Sequence, residues 1–151
     1  MAKLRNFALT TLLTIYKANI EMFSIEKFIP FNYCDPAGIM FFAKAFEIAH
    51  LAYEKFLREN NLGYYFSGAE TLLPIIHTEA DYIKPLKAGD MVKILLNLAE
   101  VKENSFSLFY EIYNPLNELS ITVRTVHVSV NKINFKKCPI PLDLKISLNK
   151  L

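Results

Sequence analysis

The stretch NYCDPAGIMFF, residues 32–42, sets a single carboxylate, Asp35, in a turn just ahead of an apolar, periodic segment. Asp and Pro both favour turns, and Gly38 takes a positive φ without steric cost. A helix begins with backbone N–H groups that lack intrahelical partners, at the positive end of its dipole. A carboxylate beside such a terminus supplies what acyl transfer needs: a nucleophile or general base, and donors that stabilise an oxyanion. Gly38 would also let a substrate come close to the backbone. The same residues fit a structural role, with Asp35 capping the helix or holding the turn. Residue types alone weigh the two readings equally.

Other reactive side chains carry weaker signals. His77 lies on an alternating segment and reads either as a base near a site or as a hydrogen-bonded histidine on a sheet face. His127 lies in an apolar run and reads as structural. Cys34, without an evident base or cation beside it, reads as a small packing residue. Phe41, Phe42, Phe46, Tyr53, Tyr64, Tyr65 and Phe66 could line a flat pocket for an aromatic group, although those at helical spacing also fit a core.

These residues must be positioned by elements. Phe23–Tyr33 reads as a strand, with Pro30 marking an edge or bulge. Phe42, Ala45, Phe46, Ala49, Ala52, Tyr53, Phe56 and Leu57 recur at three- and four-residue spacing, which predicts one long amphipathic helix. Gly63 is the expected left-handed cap. Residues 64–71 read as a loop or a single helical turn. The period then changes to two: 74–83, 91–100, 105–113 and 119–131 read as strands, and 133–142 as a final short one. One helix followed by an antiparallel run predicts an α+β domain with the sheet packed on the helix. No Gly-rich phosphate loop or βαβ alternation supports a dinucleotide fold.

The whole chain narrows the function classes. Its 151 residues are 52% hydrophobic with a net charge of +2, enough apolar content for one domain and too little charge for nucleic acid as the main partner. No apolar run reaches the ~20 residues of a membrane span. Cys34 and Cys138 do not make a disulfide framework or a metal-ligand spacing, and imply a reducing, cytoplasmic setting. Residues 1–21 carry Lys3, Arg5 and Lys17 with no acid before Glu21. They are expected to be an N-terminal extension ahead of a domain spanning 22–151.

CDPAGIMFF at 34–42 resembles the signature of the hotdog-fold 4-hydroxybenzoyl-CoA thioesterase family, in which an aspartate precedes the central helix. LPIIHTEADYIKPLKAGD at 73–90, ENSFSLFYEI at 103–112 and VRTVHVSVN at 123–131, followed by Pro139, resemble the branch that hydrolyses 1,4-dihydroxy-2-naphthoyl-CoA. The resemblance runs from Phe23 to Pro141. It implies that Asp35 attacks a thioester carbonyl or activates a water, with the Phe42 backbone N–H polarising the carbonyl oxygen and Gly38 shaping the approach. It implies an acyl-CoA substrate; by residue type, Phe41, Tyr53, Tyr65 and His77 are candidates to contact it, and Lys84, Lys87, Lys136 and Lys137 are candidate cations for the CoA phosphates. It implies no metal or redox cofactor, coenzyme A being part of the substrate, and a homodimer or homotetramer with sites between subunits. Tyr33 stands where family members often carry a second acid. Hydrolysis of 4-hydroxybenzoyl-CoA or a broader acyl range, and a non-catalytic binding module, are the alternatives.

Overall fold

The computed structural model describes residues 22–151; the expected extension at 1–21 lies outside the described residues. Strand β1 (Ser24–Phe28) leads through a 3-10 turn (Phe31–Tyr33) and the DPAG loop into helix α1 (Lys44–Glu59). A second 3-10 turn (Gly63–Phe66) precedes β2 (Thr71–Leu72), β3 (Ile75–Tyr82), β4 (Met91–Val101), β5 (Ser105–Tyr113), β6 (Leu119–Val128) and β7 (Val130–Asn131). Helix α2 (Leu142–Leu148) ends the chain. The main sheet has the order β1-β4-β5-β6-β3 and is antiparallel throughout; β2 and β7 pair separately. A five-stranded antiparallel sheet on one long helix is the expected α+β hotdog architecture.

The helical spacing explains the packing. Ala45, Ile48, Ala49, Ala52, Tyr53, Phe56 and Leu57 are the buried stripe of α1. Three of them are alanines, which let the helix approach the sheet closely. The facing rows come from alternate strand positions: Leu96 opposite Tyr110, Ile94 opposite Ile112, then Tyr110 opposite Val123 and Ile112 opposite Ile121. All these residues are buried in one cluster. Glu54 and Arg58, on the solvent face of α1, form an i,i+4 pair at 3.0 Å.

Several boundaries differ from the sequence expectation, among them the strand expected at 119–131, which breaks at Ser129 into β6 and β7. Strand β1 stops at Phe28, because the chain turns through Pro30 into a 3-10 segment. The regular helix begins at Lys44 rather than Phe42. Its end is capped by Asn61 at φ 60°, not by Gly63. The Leu62 N–H reaches the Leu57 carbonyl at 2.7 Å and the Asn61 N–H reaches that of Arg58 at 3.1 Å, a Schellman motif that Asn can adopt. Lastly, residues 133–142 form no strand. Pro141 instead opens α2, whose Leu144 and Leu148 are buried in the main core.

Candidate active site

The DPAG loop is a β-turn braced at every peptide. The Gly38 N–H donates to the Asp35 carbonyl and the Asp35 N–H to the Ile39 carbonyl, each at 2.9 Å, while the Ala37 N–H donates to Asp35 Oδ1 at 2.8 Å. Gly38 sits at φ 78°, in the left-handed region the turn requires. Asp35 is half-buried, so one carboxylate oxygen holds the turn without the group being withdrawn into the core. The loop is tied to the fold on both sides: the Met40 N–H donates to the Leu86 carbonyl at 2.7 Å and the Phe41 N–H to the Tyr33 carbonyl at 2.8 Å.

Past Phe41 the hydrogen bonding leaves donors free. The N–H groups of Lys44, Ala45 and Phe46 close turns onto the carbonyls of Phe41, Phe42 and Ala43. Those of Phe42 and Ala43 donate to no acceptor among the described residues. The Tyr82 hydroxyl, at the end of β3, donates to the Phe42 carbonyl at 2.7 Å. That carbonyl shares a rigid peptide plane with the Ala43 N–H, so Tyr82 fixes the entry to α1. Burial pushes the Tyr82 hydroxyl pKa up, which keeps it a donor.

A cavity of about 420 Å³ opens at this junction, lined by Asp35, Phe41 and Phe42 on one side and by Tyr82, Ile83, Lys84, Pro85, Leu86 and Ile121 on the other. Ile39 and Met40 complete its wall. The cavity therefore joins a carboxylate, a helix entry with two free amide donors, and an apolar lining. Its Lys84 ammonium is already paired with Glu118 at 2.6 Å, and this lysine, then Asn114, holds the Glu118 carboxyl below its usual range. Tyr33, at the position of the second acid, offers its ring face to Lys44 at 4.7 Å and Lys27 at 5.5 Å from the centroid. An aromatic quadrupole thus gathers two cations near the loop.

Asp35, Phe41, Phe42 and Lys84 converge on the cavity, and Gly38 shapes its loop. Five of the expected substrate contacts lie elsewhere within the chain. Tyr53 is 4% exposed on the buried face of α1, its ring 4.8 Å from that of His127. Tyr65 stacks on Tyr64 at 4.5 Å beyond the far end of α1, where both hydroxyls face Asp143. His77 is exposed on the edge strand, 3.4 Å from Glu79. Lys136 and Lys137 follow β7, at the end of the sheet where Ile75 pairs with His127, whereas the cavity is at the end where Tyr82 pairs with Ile121. At the rise of an extended strand those ends are roughly 20 Å apart. In each case residue type or charge suggested the site, and the element that carries the residue places it elsewhere.

His127 is buried at 1% exposure, stacked on Phe106 at 4.7 Å between centroids. Nδ1 donates to the Leu73 carbonyl at 3.3 Å, leaving Nε2 to accept from the Thr125 hydroxyl at 3.0 Å. Burial lowers its pKa to about 4, so it is neutral and structural. Cys34 is half-buried against the core, as its packing reading implies. Among the described residues no group of His, Cys, Asp and Glu is arranged to hold a metal ion. Tyr82, Ile83, Leu86 and Ile121 were not anticipated as lining. The period-two pattern of 74–83, which includes Tyr82, was the available signal, but it does not show which helix end that strand would meet.

Known proteins fit this geometry. The chain is 32% identical over 114 residues to the 1,4-dihydroxy-2-naphthoyl-CoA hydrolase of Rippkaea orientalis, covering 73% of this chain and 83% of that one. It is 34% identical over 116 residues to the protein of the same name from Gloeothece citriformis, covering 74% and 80%. The crystal structure of Slr0204, a 1,4-dihydroxy-2-naphthoyl-CoA thioesterase from Synechocystis, superposes with a TM-score of 0.80 at 26% identity, over 86% of this chain and 97% of that one. Residues 29–148 match the thioesterase-like superfamily, taking in the DPAG loop, α1 and the whole sheet beyond β1, and the chain belongs to that family.

Proposed function

We propose that this protein is an acyl-CoA thioesterase that hydrolyses 1,4-dihydroxy-2-naphthoyl-CoA to 1,4-dihydroxy-2-naphthoate and coenzyme A. One observation carries the reading: Asp35 and Phe42, whose backbone N–H is free at the entry to α1, line one apolar cavity. The thioester carbonyl oxygen accepts from the Phe42 N–H, which polarises it and stabilises the oxyanion as the carbon becomes tetrahedral. Asp35 attacks that carbon directly or takes the proton of an attacking water. The C–S bond breaks, the thiolate leaves and is protonated, and water supplies the oxygen of the acid. The relatives' shared substrate name and the apolar lining support a flat aromatic acyl group.

The reading includes a homodimer joined through the edge strand β3. That strand has no neighbour on its outer side within the sheet, and it exposes Ile76 at 60%. Paired edges remove an unpaired row of backbone groups. The two cysteines, free of disulfides, fit a reducing, cytoplasmic setting.

Thiol release from a panel of naphthoyl, benzoyl and aliphatic CoA thioesters tests the activity, with Asp35→Asn alongside. The expected result is a preference for the naphthoyl thioester and a loss of at least about a hundredfold in kcat in the variant, with its melting curve intact. An aliphatic preference would overturn the substrate, and no hydrolysis of any member would leave a binding module.

A further inference from the structure

The loop after β7 presents Ile133 at 84% and Phe135 at 70% exposure. Lys132, Lys136 and Lys137 flank them, and no acid occurs from Asn131 to Leu142. The loop is braced from within. Asn131 Oδ1 accepts from the N–H groups of Ile133 at 3.0 Å and Asn134 at 3.3 Å, and Asn134 Oδ1 accepts from Lys136 N–H at 2.9 Å. The Phe135 N–H donates to the Asn131 carbonyl, and the Asn131 N–H to that of Lys136, each at 2.9 Å. Phe135 sits at φ 55°, a conformation that favours glycine, and its exposed ring gains little packing to offset that strain. A strained, outward aromatic on a fixed loop points to something outside the chain.

We propose that this loop is a membrane-surface contact, in which Ile133 and Phe135 enter the headgroup–acyl boundary of an anionic bilayer and the three lysines meet its phosphates. Two adjacent apolar tips fit an apolar medium, and the cationic collar selects anionic headgroups. The internal bracing lowers the ordering cost of insertion. The cavity beside Asp35, at the other end of the sheet, stays open.

Because the chain has no tryptophan, Phe135→Trp provides a single emitter. Its emission is expected to shift to the blue with vesicles of phosphatidylcholine and phosphatidylglycerol, and not with phosphatidylcholine alone. Lys136→Gln and Lys137→Gln should each weaken sedimentation with the anionic vesicles about fivefold. Ile133→Ser with Phe135→Gly should abolish it, while hydrolysis in buffer is unchanged and the melting temperature is kept or raised by relief of the φ strain. No blue shift with anionic vesicles overturns the proposal. So does a KM that rises in the double variant for a CoA thioester but not for the matching pantetheine thioester, since the loop would then hold the nucleotide.

Discussion

At the scale of single residues, the site depends on a hydroxyl that sequence reading passed over. Tyr82→Phe removes the donor to the Phe42 carbonyl and frees the first peptides of α1. The expected effect is a fall in kcat of about tenfold with KM nearly constant, and a stability loss near 1 kcal/mol, measured by steady-state kinetics and urea unfolding. His127 makes a pH prediction. Its pKa is about 4 when folded against 6.5 when free, so the unfolded chain binds the extra proton between those values. Stability is therefore full above about pH 6.5 and falls as pH drops toward 4, by roughly 3 kcal/mol. His127→Gln should flatten that part of the curve of melting temperature against pH. Asp35 was legible because its motif is local: acid, proline, glycine and helix entry lie within a few residues. Tyr82 was not, because its contact spans forty positions and depends on the register of β3. Tyr53 was assigned to the substrate because its spacing reveals that it is buried, not what it is buried against.

Among the elements, α1 and the strands β4, β5 and β6 were readable because their periods are long and unbroken. The terminal helix was hidden by its length, two turns being too short to establish a period, and by Pro139 and Pro141, which read as breakers. Proline in fact suits the first positions of a helix, where no N–H is needed. Leu144→Ala tests whether this short helix is part of the core. Leu144 is 0% exposed, and its truncation should cost about 3 kcal/mol by chemical denaturation, where a solvated tail would show none. The cap of α1 was misplaced by two residues because glycine was weighed above asparagine, although both enter the left-handed region.

For the whole molecule, the unpaired outer side of β3 is the expected seat of the second copy. Ile76→Lys places a charge on that edge and should halve the mass seen by sedimentation velocity, whereas an unchanged mass would move the interface elsewhere. The sheet order has a kinetic consequence as well. Strands β4, β5 and β6 are joined by the short links Lys102–Asn104 and Asn114–Glu118, so they can zip together as successive hairpins. The outer strands cannot. β1 must wait for a partner beyond the whole of α1 and β3, and β3 must wait for β6. The cavity beside Asp35 lies across that late seam, with Tyr82 on β3 stitched to the entry of α1. Amide exchange should accordingly be slowest in β5 and, in the Ile76→Lys monomer, far faster along β3, so that without the second copy brief fraying of that strand dissolves the pocket while the meander endures.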